Sequence, residues 1–127
     1  MKSICLAILL LCLASRAAAA DWKLYADGKS GDRIYVATDR ISKTGDYIVI
    51  WDKFTHRKPL NLGSTRSDFE ISQETISCDS PRSYRTDVTN AYLKDGTAVA
   101  TWKTSDWHTL FPDTIMETVV NKICGSQ

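Results

Sequence analysis

The sequence predicts an α+β domain in which one C-terminal helix packs on a six-stranded antiparallel β-sheet. Three observations predict this fold class. Apolar alternation and β-branched residues dominate residues 22–102. The pair Asp95-Gly96 lies between two such runs and is typical of a β-hairpin turn. After Pro112 the apolar residues change to helical spacing.

The chain begins with a segment typical of a cleavable signal peptide. Lys2 supplies a positive charge, residues 4–14 form a short apolar run, and Ala17–Ala20 provide a small-residue cleavage site. A membrane-spanning helix needs roughly 20 apolar residues, so cleavage after residue 20 is favoured over an uncut anchor. Lipid attachment at Cys12 would need a small residue before it, and Leu11 is bulky. Soluble export is therefore the favoured interpretation.

Two units are predicted, a signal peptide over residues 1–20 and one domain over residues 21–127. Removing 20 of the 127 residues leaves 107, a length typical of a single domain. Without Lys2 and Arg16, 14 basic residues face 15 acidic ones, which gives no overall attraction to nucleic acid or anionic lipid. We expect no nucleic-acid partner and no transmembrane span in the mature chain.

The first half of the domain is predicted to contain three strands. Trp22–Ala26 is a short first strand, and Arg33–Thr38 alternates like a half-buried one. Tyr47–Phe54 is apolar on both faces at first, which favours a central place in the sheet. Residues 39–46 are expected to be a polar connection. Residues 55–67 lack periodicity and contain a proline and a glycine, so they are predicted to be an exposed loop.

A change of phase in the fourth strand predicts a β-bulge. Phe69 and Ile71 share one side of that strand, whereas Ile76 and Cys78 share the other. This indicates one extra residue near Gln73-Glu74. The next two strands form the hairpin, whose Asp-Gly turn is expected to be type I′, with positive φ at both central residues.

The last predicted element is a helix of about ten residues that packs on the sheet, because so short a helix is marginal in isolation. Thr114 and Glu117 form a capping box, Asp113 is a competing N-cap, and Gly125 supplies a stop. The apolar positions of the helix share one face, and they are Ile115, Met116, Val119, Val120, Ile123 and Cys124.

Two cysteines remain once the signal peptide is removed, Cys78 and Cys124. In an exported protein they are most simply a disulfide, with two free buried thiols as the less favoured alternative. Closing a loop of 46 residues stabilises the fold by about 4 kcal/mol in the chain-entropy model. Two cysteines and two distant histidines lack zinc-ligand spacing, and no cofactor motif is present, so we expect neither a metal nor a cofactor.

The sequence contains no constellation that predicts catalysis. Both cysteines are assigned to the bridge, and an Asp106–His108 pair has no nucleophile elbow to act on. Acidic residues are scattered singly, and solvated strand faces and turn caps explain nearly all of them, although two could meet across antiparallel strands as in a glycosidase. We therefore predict no enzyme, and a small envelope hydrolase is the least favoured alternative.

Residues that bind a protein partner have a weaker sequence signature than catalytic residues. The predicted loop carries His56, Arg57, Lys58 and Arg66, which suit an acidic protein or glycan, although a merely solvated loop is the simpler interpretation. Trp107 precedes the helix, where covering the helix N-terminus is favoured over partner contact. These five residues are the candidate partner-binding set.

In this order the residues resemble the bacterial surface-adhesin E family, which has the protein E fold. The likeness covers almost all of the mature chain and implies the same six-stranded sheet with a helix tethered by the Cys78–Cys124 bridge. The residues that carry the resemblance are Asp39, Ile41, Gly45, Val49-Ile50-Trp51, Ile76-Ser77-Cys78, Tyr92-Leu93-Lys94-Asp95-Gly96, Trp107, Pro112-Asp113-Thr114 and Cys124.

The resemblance implies a non-enzymatic envelope protein that binds host matrix or other envelope proteins. The expected location is periplasmic or secreted, with surface display in the adhesin-like case. The alternative is a periplasmic accessory or inhibitor protein with no adhesive role, because a fold alone does not carry a function.

Overall fold

A computed structural model describes residues 19–104 and 106–126 of the chain. Most of the predicted signal peptide, residues 1–18, lies outside the described residues, and its removal stays a prediction. Within the described part, no helix has the length and apolar character that crossing a bilayer requires.

One antiparallel sheet of eight strands forms the body of the domain. Six strands follow the order β1-β2-β4-β5-β6-β7, while β3 pairs with β4 and β8 pairs with β6. The strands are β1 Trp22–Asp27, β2 Arg33–Ala37, β3 Ser42–Thr44, β4 Tyr47–Leu62, β5 Thr65–Ser77, β6 Ser83–Tyr92, β7 Ala98–Lys103 and β8 Trp107–Thr109.

The mostly antiparallel sheet with one C-terminal helix is confirmed, but the predicted count of six strands is too low. The two additional strands, β3 and β8, have three residues each and are exposed along their whole length. A segment so short has no measurable alternation, so its sequence looks like a connection. Residues 38–40 of the predicted connection form a single 3₁₀ turn.

The prediction of an exposed loop over residues 55–67 is wrong. β4 continues to Leu62, and its end pairs with the start of β5, with Leu60 opposite Ser67. The pairing of β4 with β5 is interrupted only between Thr55 and Leu60, where the four residues 56–59 form an irregular bulge. The bulge contains the proline of this segment, which has no N–H to donate to the ladder. The bulge also interrupts the alternation of inward and outward side chains by which a strand is recognised in a sequence.

The predicted bulge in β5 is confirmed, since the register with β6 shifts between Gln73 and Glu74. The predicted type I′ turn is wrong. The Gly96 N–H donates to the Leu93 carbonyl at 2.9 Å, so the central residues of the observed turn are Lys94 and Asp95. Of the pair Asp95-Gly96, predicted to be left-handed at both positions, only Gly96 is, with φ 90°. Asp95 instead accepts the Thr97 N–H through its side chain at 2.9 Å, which stabilises a longer turn than type I′.

The helix, α1, spans Ile115–Gly125 and begins as predicted. The Thr114 hydroxyl accepts the Glu117 N–H at 3.3 Å, so Thr114 is the N-cap and Asp113 lies outside the helix. A disulfide joins Cys124 near the end of α1 to Cys78 just after β5. It holds the end of the short helix against the sheet.

The helix covers only part of one sheet face, which we call the inner face. Nine buried residues form the apolar core between α1 and this face, and they are Ala26, Ile34, Val36, Ile48, Ile50, Ile76, Val119, Val120 and Ile123. Along β4 the inner side chains then become polar, beginning with Asp52. The opposite side of the sheet, the outer face, is not covered by α1.

Candidate functional site

A polar pocket lies on the inner face, beside the region that α1 covers. It is a cavity of about 440 Å³ between β4, β5, β6 and the β7–β8 segment. Its lining combines carboxyl, hydroxyl, imidazole and aromatic groups. The lining residues are Ile34, Asp52, Phe54, His56, Glu70, Ser72, Glu74, Tyr84, Thr86, Thr89, Trp102, Thr104, His108 and Met116.

Strand register brings two carboxyl groups together in this pocket. Ile50 of β4 lies opposite Glu74 of β5, and Asp52 lies opposite Ser72, so Asp52 and Glu74 are diagonal neighbours on one face. Both are only 4% exposed. Asp52 is thus an exception to the expectation that nearly all acidic residues lie on solvated strand faces and turn caps.

Burial and neighbouring negative charges favour the protonated forms of Asp52 and Glu74. Desolvation raises the pKa of Glu74 to about 7, against a hydrogen bond from Thr86 that favours the charged form. Desolvation, together with the charge of Glu74, raises the pKa of Asp52 well above its ordinary range. A pair of carboxyl groups with raised pKa values in a cleft is typical of functional sites.

The two carboxyl groups differ in their partners. Glu74 accepts a hydrogen bond from the Thr86 hydroxyl at 2.8 Å. No hydrogen bond from the described residues reaches the carboxyl group of Asp52, whose oxygens stay open to the pocket. Ser72 is occupied by Thr89, with 2.8 Å between their hydroxyl oxygens. Asp52 is therefore the acceptor that the pocket leaves available.

A third carboxyl group of the pocket, that of Glu70, is engaged by protein groups. Its Oε2 lies 2.6 Å from Nε2 of His56 and accepts the Ser67 hydroxyl at 2.8 Å. The side chains of His56 and Glu70 are only 9% and 11% exposed. The sequence placed His56 on a basic loop, but the structure turns its ring into the pocket, where it contacts Phe54 at 4.8 Å between centroids.

Aromatic rings form the remaining walls of the pocket. Phe54 and Trp102 line it, and Tyr84 packs against His108 with 5.3 Å between ring centroids. Burial raises the pKa of the Tyr84 hydroxyl, and the charges of Glu74 and Asp52 add to that effect. The pocket thus combines acceptor oxygens with π faces.

The structure does not bring the five predicted partner-binding residues together. Arg57 and Lys58 lie in the bulge of β4, where the Arg57 N–H donates to the Asp32 carboxylate at 3.0 Å. Arg66 lies further along the same hairpin, 4.0 Å from Asp68. Trp107 lies at the other end of the sheet in β8, so the five residues do not form one surface.

Trp107 belongs to the outer face and does not cover the helix N-terminus. Its ring lies 5.4 Å from that of Tyr47, and the Arg85 guanidinium lies 5.1 Å from the Trp107 ring centroid. Trp107 remains 41% exposed.

The outer face carries further aromatic and apolar side chains along four strands. Phe69 stacks on Tyr92 at 5.1 Å, and the Lys53 ammonium lies 5.0 Å from the Trp22 ring centroid. A cavity of about 180 Å³ opens on this face. The residues that line that cavity are Trp22, Ala37, Arg40, Trp51, Ile71, Asn90 and Tyr92.

A comparison with family models supplies the assignment that geometry alone does not. The model described as surface-adhesin protein E matches residues 22–125, which is nearly the whole described chain. The chain belongs to the surface-adhesin protein E family. Neither the curated proteins nor the solved structures gave a significant match. Membership in the surface-adhesin protein E family supports an adhesin-like, exported or surface protein and suggests a non-enzymatic role.

Proposed function

We propose that this chain is an exported, non-enzymatic envelope protein that binds protein partners through the outer face of its sheet. The observation that supports the proposal is the aromatic character of a face that α1 leaves uncovered. Trp22, Trp51, Tyr92 and Trp107 all lie on that face. Tryptophan and tyrosine are the residues that most often dominate the binding energy of protein interfaces.

The shape of the outer face also suits a protein partner. The cavity between Trp51, Ile71 and Tyr92 can receive one side chain of a partner, while the surrounding rings exclude water. Lys53 lies above Trp22 and Tyr35, so the face has a cation at its centre rather than a purely apolar surface. An amphipathic or acidic protein surface would match this arrangement.

Basic residues at the end of the β4–β5 hairpin lie away from the outer face but can still attract a partner. Arg57, Lys58 and Arg66 all lie in the β4–β5 extension. We propose that they attract an acidic partner before contact, because exposed charges act mainly on association rates. The host-matrix and envelope-protein alternatives share this chemistry.

The location is tested with an external protease added to intact expressing cells, followed by a blot for the mature protein. Lysed cells show that the protein is cleavable, and a periplasmic marker shows that the envelope stayed intact. Loss of the protein from intact cells supports the adhesin-like role. Protection until lysis would contradict surface display and favour the periplasmic accessory role.

The binding face is tested by changing Trp107 to Ala in protein purified from the envelope. We expect binding to immobilised matrix or envelope proteins to weaken roughly tenfold or more, since an interface tryptophan commonly contributes over 1 kcal/mol. Phe111 is a matched control because it is an exposed aromatic residue near the start of α1. An equal loss with Phe111→Ala would argue against the outer face.

A further inference from the structure

We propose that the polar pocket of the inner face binds the ammonium group of an organic cation, with Asp52 as its principal acceptor and aromatic rings as its walls. The pocket lies on the face opposite the proposed protein-binding surface. The proposal therefore does not depend on the adhesin-like role.

Asp52 lies in the pocket without a partner among the described residues. Asp52 is only 4% exposed, it lines the pocket, and no described residue donates a hydrogen bond to its carboxyl group. A carboxyl group that is almost fully removed from bulk water and receives no hydrogen bond from the protein is stabilised when a ligand in the pocket donates one. Its open oxygens point to a ligand that donates hydrogen bonds.

Acidic side chains outnumber basic ones in the lining of the pocket. Three carboxyl groups line it, Asp52, Glu70 and Glu74, against two imidazoles. Among the described residues that line the pocket there is no lysine or arginine. His56 is already paired with Glu70, which leaves Asp52 and Glu74 without a cationic partner. A positively charged ligand would supply such a partner and favour the ionised form of the pair.

The aromatic rings of the lining indicate which kind of cation the pocket would bind. Phe54, Tyr84 and Trp102 present aromatic rings beside the two carboxyl groups. Rings combined with carboxylates favour an organic ammonium, whose alkyl portion packs on the rings while its N–H groups meet the oxygens. Among residues 19–104 and 106–126, no three His, Cys, Asp or Glu side chains are grouped to hold a metal ion.

Binding should be linked to proton release. Without a cation the carboxyl pair favours its protonated form, and an ammonium within hydrogen-bond distance favours the charged form. Affinity should then rise with pH through about 7, where Glu74 loses its proton. The titratable groups that face the pair are Glu70 of β5, Tyr84 of β6, His56 of β4 and His108 of β8, with Asp87 of β6 acting on Glu74 through its charge.

The probes are butylammonium, Nα-acetyl-lysine methylamide and Nα-acetyl-norleucine methylamide, a neutral analogue that lacks the ammonium group, each added to the full mature chain. The readout is the set of tryptophan indole resonances in a two-dimensional ¹H–¹⁵N spectrum. Trp102 reports on the pocket, whereas Trp51 and Trp107 report on the outer face. We expect both ammonium probes to shift Trp102 with saturation at millimolar concentrations, and the norleucine compound to leave it unchanged.

Two variants locate the acceptor. Asp52→Asn and Glu74→Gln keep side-chain shape but remove the charge, and each should weaken ammonium binding roughly tenfold or more. Asp46→Asn, which removes an exposed carboxyl group outside the pocket, should leave binding unchanged. A thermal melt checks folding, and the pH series on the unchanged chain decides the question if either variant fails to fold.

The outcomes separate the sources of the ammonium group. Tighter binding of the lysine compound than of butylammonium assigns the pocket to a lysine side chain on a partner protein. Equal binding of the two assigns it to a small free amine. The proposal is overturned if no ammonium probe saturates, if the norleucine compound binds equally, if affinity falls as pH rises through 7, or if Mg²⁺ reproduces the Trp102 shift.

Discussion

Replacing Glu74 by Gln should make the protein more stable at alkaline pH and leave its stability nearly unchanged in acid. Glu74 is buried beside Asp52, and its pKa rises from 4.5 to about 7 on folding. The folded state therefore holds a proton that the unfolded state releases. Gln has the shape of the protonated acid and keeps an acceptor for the Thr86 hydroxyl.

The magnitude follows from that change in pKa. A carboxyl group with a raised pKa contributes its full stability below about 4.5, and this contribution is lost as pH rises through about 7. At 1.36 kcal/mol per pH unit, the loss over this window is on the order of 3 kcal/mol. Most of this loss falls between about pH 5 and pH 8. At about pH 8 the Glu74→Gln variant should therefore be more stable than the wild type by most of this free energy, and at about pH 5 by little of it.

The assay is urea unfolding of the wild type, Glu74→Gln and the surface control Asp46→Asn at these two pH values. The difference between variant and wild type cancels the titration of the groups that do not interact with Glu74. A Glu74→Gln effect that is the same at both pH values would refute the reasoning, because it would mean that the pKa of Glu74 is not raised in the folded state. A pH-dependent gain in the control would refute the assignment to Glu74.

Three further predictions concern the fold. Changing Cys78 and Cys124 together to Ser should lower the free energy of unfolding by up to about 4 kcal/mol and reduce Tm, and an unchanged melting curve would argue against the bridge. Thr114→Ala should cost about 1 kcal/mol in urea unfolding because α1 loses its cap, whereas Thr114→Ser should cost much less; equal losses would contradict the capping role. Ile50→Ala should cost about 2–5 kcal/mol because its side chain is fully buried, and a loss below that of Ile50→Val would show that the site is not close-packed.

The long elements could be predicted because their side chains alternate or repeat over many residues. Tyr47–Phe54 and the helix after Pro112 have this property, and so does the phase change that predicts the bulge at Gln73-Glu74. The extension of β4 was missed since four consecutive residues leave the ladder and disturb the alternation. The strands β3 and β8 were missed because three residues are too few to show a period.

The pocket could not be predicted as a site, because strand register decides which distant residues meet. Asp52 and Glu74 come together only through the pairing of β4 with β5. One signal was present in the sequence. Asp52 continues the alternation of Ile48 and Ile50, so it lies on the core side of its strand, where an acidic residue is unusual.

The measurement that decides between a binding face and a bare surface is site-specific photo-crosslinking in living cells. The photoreactive residue p-benzoylphenylalanine replaces Tyr92 on the outer face or, as a control, the exposed Thr118 of α1. We expect a defined adduct with an envelope or extracellular protein from position 92 and none from position 118. No adduct from position 92, or the same adducts from both positions, would contradict it.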